Sequence, residues 1–214
     1  VIGTASAHAA DGASAERKSA GPAASLVLVG MPGCGKTTVA RHLARQLGLR
    51  FADSDHEIER RLGASVREIF AHEGEEGFRA HEERTIAALA DEAQAHGLVL
   101  ATGGGAVLRQ TNRDALRRAG TVFYLRATAE ELHRRLRHDG QRPLLQVADP
   151  LRKLRELYRD RDPLYRRTAH YVVEAARPSV PSLIGMVLMQ LELAGLVDPQ
   201  QVPSPVDAAL AAAR

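Results

Sequence analysis

The chain has one cysteine, Cys34, in 214 residues. That excludes an intramolecular disulfide and any cysteine-built metal cluster. A lone free thiol suits a reducing compartment, so the expected location is cytoplasmic. Tryptophan is absent and other aromatics are few, which removes the platforms on which single-stranded nucleic acid stacks. The net charge is only +3, and the cations, nearly all arginine, are interleaved with acids. There is no basic stripe of the kind that tracks a duplex. No apolar run reaches the length of a membrane span. Residues 1–24 are rich in Ala, Ser and Gly and lack the apolar segment of a secretory signal. Asp11 and Glu16 argue against a transit peptide. Neither a nucleic-acid partner nor a membrane is expected.

What is present is ordinary for a globular chain: 44% hydrophobic and 26% charged residues. The length suffices for one α/β domain with a substantial core. Residues 1–24 read as a disordered leader. Residues 25–195 read as the domain. Residues 196–214, with three prolines and an alanine run, read as a peripheral tail.

Inside the domain, Gly30-Met31-Pro32-Gly33-Cys34-Gly35-Lys36-Thr37 fits G-x-x-x-x-G-K-[ST]. Ser25–Val29 before it is a short apolar run that reads as a buried strand. After it, Val39, Leu43, Ala44 and Leu47 fall at helical spacing. Strand, glycine loop and helix together favour a phosphate-binding loop over a glycine turn with a chance lysine. Glycines let successive N–H groups converge on one point, and the helix start adds partial positive charge. The backbone from Gly33 through Cys34 and Gly35 to Thr38 would cradle phosphates. Lys36 would reach β- and γ-phosphate oxygens, and the Thr37 hydroxyl would ligate Mg²⁺. Cys34 itself reads most simply as a small residue that fits.

Asp53-Ser54-Asp55 follows a short strand, at the sheet edge where ligands bind in open parallel sheets. Asp55 is expected to cap the next helix. The later strands, Leu98–Thr102 and Thr121–Leu125, do not end in acids. Asp53 and Asp55 are therefore the best placed carboxylates for a metal and a substrate hydroxyl. A short helix from Ser65 to Phe70 is expected, then a Gly74 turn, then a longer helix opening at Gly77. On that helix Arg79 and Glu82 share a face. Spacing alone leaves two readings even: a surface ion pair, or an arginine braced so that its fork grips a carboxylate. Gly103-Gly104-Gly105 marks close backbone approach, either a tight turn or a substrate wall. The loop His138–Leu145, with Arg142 before Pro143, looks like a lid whose arginine could meet a transferring phosphate. Pro163 is expected to stop the helix that begins at Pro150. The histidines show no metal-ligand spacing.

In order and spacing these motifs resemble the shikimate kinase family. The resemblance covers nearly all of residues 25–195 and rests on Gly30–Thr37, Asp53-Ser54-Asp55, Phe78-Arg79 with Glu82, Gly103–Gly105, Arg142-Pro143-Leu144-Leu145, and Arg161 with Pro163-Leu164-Tyr165. It implies a three-layer α/β/α P-loop fold with a five-stranded parallel sheet and a mobile lid. It implies transfer of the ATP γ-phosphate to the 3-hydroxyl of shikimate, on the way to chorismate and the aromatic amino acids. Lys36, Asp55 and Arg142 would then be catalytic. Asp55 would bind the shikimate hydroxyls and orient or deprotonate the attacking one. Asp53 and Thr37 would hold Mg²⁺. Arg79 and Arg161 would clamp the shikimate carboxylate, with Glu82 bracing Arg79. Gly103, Gly104 and Gly105 would line the site, and Phe70 and Phe78 would pack against the ring. Arg135 and Arg177-Pro178 would flank adenine. The chain is expected to act as a monomer.

Two rivals remain at this level. A gluconate kinase of similar fold is disfavoured by the Arg79/Glu82 pair, the triple glycine and Arg161. A kinase-like sensing module in a regulator could shed its catalytic groups, yet Lys36, Asp55 and Arg142 are all present.

Overall fold

The computed structural model describes residues 25–136, 147–175 and 179–197. The expected leader, most of the tail, the lid with Arg142, and Arg177-Pro178 lie outside the described residues.

Among the described residues five short strands form one parallel sheet, in the order β2-β3-β1-β4-β5. They are β1 (Leu26–Val29), β2 (Arg50–Asp53), β3 (Leu98–Ala101), β4 (Thr121–Arg126) and β5 (Tyr171–Glu174). The central strand β1 pairs with β3 on one side and β4 on the other. All four of its residues are fully buried. This is why its sequence reads as a continuous apolar run rather than an alternation.

Among the described residues seven helices cover the sheet: α1 (Lys36–Leu47), α2 (Ser54–Leu62), α3 (Val66–His96), α4 (Gln110–Ala119), α5 (Ala129–Leu136), α6 (Pro150–Thr168) and α7 (Val180–Leu193). The crossover β1-α1-β2 runs toward one edge of the sheet, and β3-α4-β4 runs toward the other. Right-handed crossovers in opposite directions place their helices on opposite faces. The packing agrees: α1 meets α7, whereas α4 meets α3 and α6. The expected three-layer arrangement results. The chain reverses direction across the sheet at β1, so the loop after β1 sits at the switch point, outside the carboxyl ends of the strands.

Three local expectations are corrected. Asp53, not Asp55, caps α2: its Oδ1 accepts the Asp55 N–H at 3.1 Å, and the helix starts at Ser54. The Gly74 turn is a kink inside one long helix. Gly74 alone is non-helical, with φ 70° and ψ −175°, and the helix resumes at once rather than at Gly77. Glu75 is thereby helical and stands one turn before Arg79. Pro163 does not end α6, which continues to Thr168. An internal proline costs about 3 kcal/mol. Here the buried face of Leu154, Leu157, Arg161, Tyr165 and Thr168 offsets it.

Among the described residues no helix is long and apolar enough to cross a membrane.

His170, just before β5, joins the edge of the sheet. Its Nδ1 accepts the Val122 N–H at 2.9 Å, and its own N–H donates to the Val122 carbonyl at 2.8 Å. Burial, helped by the nearby Arg117 charge, pulls the imidazole below its ordinary 6.5. The neutral ring is therefore the folded form. Its contribution is complete above pH 6.5 and is lost as pH falls through the depressed folded value. In thermal melts between pH 8 and 5, the stability advantage over His170→Gln should narrow on acidification. An advantage independent of pH would show that the ring nitrogen is not the acceptor.

Candidate active site

The loop between β1 and α1 needs glycine for steric reasons. Gly30 has φ 147°, and a Cβ there would lie 2.6 Å from the Leu125 carbonyl oxygen. Gly35, at φ 99°, occupies the N-cap of α1 and has no side-chain oxygen to satisfy the first turn. The N–H groups of that turn have no partner within the helix, so they point outward as an anion site. Lys36 is almost fully buried; its Nζ donates to the carbonyls of Gly30 at 2.8 Å and Met31 at 3.0 Å. Cys34 is fully buried with its Sγ 3.8 Å from that nitrogen, and its N–H donates to the Met31 carbonyl at 3.3 Å. Cys34 thus serves the turn itself.

A cavity of about 290 Å³ opens over this loop, lined by Gly33, Gly35, Lys36, Thr37, Thr38, Asp53, Asp55, Thr102 and Gly104. The strand ends deliver its acids. Asp53 Oδ2 accepts the Thr37 hydroxyl at 2.8 Å, while Oδ1 caps α2. One carboxylate therefore ties the phosphate loop's helix to the second strand. Asp55 follows in the first turn of α2, where the helix dipole favours its charge. A Cβ on Gly103 would come within 2.4 Å of Asp55 Oδ1 and 3.0 Å of Glu82 Oε1. The absent side chain at 103 is what lets these two carboxylates approach the strand end.

On α3, Arg79 and Glu82 are a buried pair, not a surface one. Arg79 is 6% exposed and Glu82 0%, with Nη1 to Oε2 at 2.8 Å. Glu75 takes the other guanidinium nitrogen at 3.0 Å. Burial opposes the Arg79 charge, yet Glu82 and Glu75 hold the guanidinium above its ordinary value. Burial pushes the Glu82 carboxyl up, against the pull of Arg79, Arg161 and Arg109. The first shift favours an ionised pair and the second opposes it. The short contact and the three arginines on Glu82 decide for the ionised form. Phe78 and Phe70 pack with centroids 4.6 Å apart and rings tilted by 32°, the Arg79 guanidinium lying 5.3 and 6.0 Å from their centroids. That adds a cation–π hold. From α6, Arg161 is 4% exposed and its Nη1 donates to the Gly104 carbonyl at 3.0 Å.

Gly105 faces this cluster. A Cβ there would lie 2.3 Å from both Arg79 terminal nitrogens. Gly105→Ala should therefore displace the fork that Glu82 holds. On the sequence expectation of a kinase whose Arg79 grips a substrate carboxylate, roughly a tenfold or greater rise in KM for that substrate is expected, with KM for ATP nearly unchanged. Steady-state kinetics on both substrates would check it. An unchanged KM for the first substrate would mean that Arg79 does not face it.

Arg135 stands apart from the cavity: its Nη2 donates to the Ala175 carbonyl at 2.7 Å, joining α5 to the end of β5. Three contributors were not assigned roles by sequence reasoning. Thr102 lines the cavity, and its hydroxyl donates to the Leu28 carbonyl at 3.1 Å. The Ser54 hydroxyl accepts the Gly103 N–H at 2.9 Å. The Tyr165 hydroxyl donates to the Gly104 carbonyl at 2.5 Å. Ser54 and Tyr165 lie inside the sequence motifs, but nothing local indicates partners 49 and 61 residues away. Among the described residues no group of three His, Cys, Asp or Glu could hold a metal.

Known proteins are similar to this chain. The family model described as shikimate kinase matches residues 32–192. A shikimate kinase from Ralstonia nicotianae is 56% identical over 181 residues, covering 84% of this chain and 93% of that protein. One from Paracidovorax citrulli is 56% identical over 180 residues, covering 84% and 98%. Among solved structures, shikimate kinase from Acinetobacter baumannii in complex with shikimate is 46% identical. It aligns with a TM-score of 0.76, over 82% of this chain and 96% of that one.

Proposed function

Because the chain belongs to the shikimate kinase family, we propose that the cavity over Lys36 is where it joins its two substrates. The chain is an ATP-dependent kinase that phosphorylates shikimate, in aromatic amino-acid biosynthesis. The observation that carries the site assignment is one cavity bringing Lys36, Thr37, Asp53, Asp55 and Gly104 together, with buried Arg79, Glu82 and Arg161 against the same glycine strip.

In this reading the N–H groups at the start of α1 and the Lys36 ammonium bind the ATP phosphates. Arg79 and Arg161 grip the shikimate carboxylate, Glu82 fixes the Arg79 fork, and Phe70 and Phe78 wall the ring. Gly103, Gly104 and Gly105 let the substrate approach the backbone. That leaves the 3-hydroxyl facing Asp55, which orients it and accepts its proton as its oxygen bonds the γ-phosphorus and the β–γ phosphoanhydride breaks, releasing ADP. Arg142 would meet the phosphoryl group from the lid, and Arg135 with Arg177-Pro178 would border the adenine. Phosphoryl transfer needs positioning and charge stabilisation more than covalent help, and this residue set supplies both.

Mg²⁺ fits the corner between Thr37 and Asp53. A hydroxyl and a carboxylate 2.8 Å apart, beside a phosphate-binding helix start, are the few protein oxygens Mg²⁺ takes when phosphates and water complete its shell. Bound there, it would neutralise phosphate charge. The buried free thiol of Cys34 supports a reducing, cytoplasmic setting, and the chain is read as a monomer. The direct test is ADP release from ATP and Mg²⁺ with shikimate, and with gluconate in parallel. Turnover with shikimate alone is expected. Turnover with neither would favour the sensing module.

A further inference from the structure

Tyr165 is fully buried on the inner face of α6, one turn beyond Arg161, and neither phosphate binding nor the carboxylate clamp uses it. Its ring stacks on Tyr124 at 4.9 Å. Its hydroxyl donates to the Gly104 carbonyl at 2.5 Å and lies 3.9 Å from the Met31 sulfur in the phosphate loop. The same carbonyl takes the Arg161 guanidinium at 3.0 Å. Gly104 also abuts that loop, since a Cβ on it would sit 2.7 Å from Pro32 Cδ. The carbonyl has two lone pairs, and two α6 side chains one turn apart fill them.

We propose that Tyr165 is a positioning residue: by fixing the Gly104 carbonyl it aims the Arg161 fork at the shikimate carboxylate and keeps the glycine strip seated on the phosphate loop. This rests on the reading of Arg161 as a carboxylate clamp. Burial holds the phenol well above its ordinary range, against the nearby Arg161 charge, so the hydroxyl remains a donor. Arg161 has long stem rotamers, and one hydrogen bond to a carbonyl free to tilt would not hold its plane. The hydroxyl removes that tilt.

The test is steady-state kinetics and melting temperature for Tyr165→Phe, Tyr124→Phe, Arg161→Lys and the double variant Tyr165→Phe/Arg161→Lys. Phenylalanine keeps the ring stack and volume, so both single tyrosine variants should fold. Tyr165→Phe should raise KM for shikimate roughly fivefold to tenfold, the size of one ordinary hydrogen bond, with KM for ATP within about twofold. Tyr124→Phe is the control. It removes a hydroxyl from the same stacked pair, but one that faces Asp162 at 2.9 Å, and it should leave KM for shikimate unchanged. The double variant should be no worse than Arg161→Lys alone, because both changes break one linkage. Effects that multiply, an equal rise from Tyr124→Phe, or equal losses for both substrates would overturn the role of Tyr165 and leave the clamp standing. Arg161→Lys with an unchanged KM for shikimate would overturn the clamp, and this inference with it.

Discussion

Asp55→Asn is expected to lower kcat by roughly 10²–10⁴-fold, the range for losing a general base, while ATP binding and melting temperature hardly move. The fold should tolerate the change because Asp53, not Asp55, caps α2. What the variant forfeits in the helix is one charge in its first turn, about 0.3–1 kcal/mol. On the proposed reading, what it forfeits in the site is an acceptor for the leaving proton and a full negative charge to orient the hydroxyl. Asp53→Asn should behave differently. Asparagine's one carboxamide oxygen can still cap α2, but its NH2 group cannot accept from Thr37 as Oδ2 does, and the proposed metal corner loses its anionic ligand. Excess Mg²⁺ should then restore part of kcat to Asp53→Asn and none to Asp55→Asn. A magnesium titration of both variants reads this directly. Near-normal kcat for Asp55→Asn, or rescue of that variant alone, would reverse the assignments.

The two neighbouring aspartates also show where sequence reading stops. Their presence at a strand end was legible, because a short apolar run followed by acids is a local pattern. Which of them caps the helix depends on a one-residue boundary between β2 and α2, and propensity does not resolve that boundary. The phosphate loop was legible as a motif, since its glycines, lysine and threonine fall within eight residues, although what demands glycine at Gly30 and Gly33 is Leu125 and Leu136, far along the chain. The buried state of Arg79 and Glu82 was not. Helical spacing gives a shared face but does not say what covers it. Here the glycine strip does. Pro163 misled for a related reason. Its local penalty is real, but Arg161 and Tyr165 on either side are held by Gly104, 57 and 61 residues away. Tertiary contacts of that reach override a local helix-stop signal.

Burial of the Arg79–Glu82 pair sets up the other large effect, which separates binding from stability. Arg79→Met leaves the Glu82 carboxyl, 0% exposed, without its 2.8 Å partner. Breaking a buried pair from one side typically costs about 3–5 kcal/mol. For a domain of this size that corresponds to a fall of roughly 6–20 °C in melting temperature. Adding Glu82→Leu removes the stranded charge, and an apolar replacement of a whole buried pair is often neutral. The double variant Arg79→Met/Glu82→Leu should therefore melt close to the parent, yet bind shikimate poorly. A milder change, Arg79→Lys, should leave the fold intact and raise KM for shikimate by roughly 10- to 100-fold, with KM for ATP little changed. A lysine satisfies Glu82 as a point charge and has no fork left for a substrate carboxylate. If the stable double variant held shikimate as tightly as the parent, Arg79 would be only a structural cation. If Arg79→Met alone melted no lower than the double variant, the charge on Glu82 would not be what makes the pair matter. Recovery of stability without recovery of shikimate binding is the outcome that assigns Arg79 to the substrate.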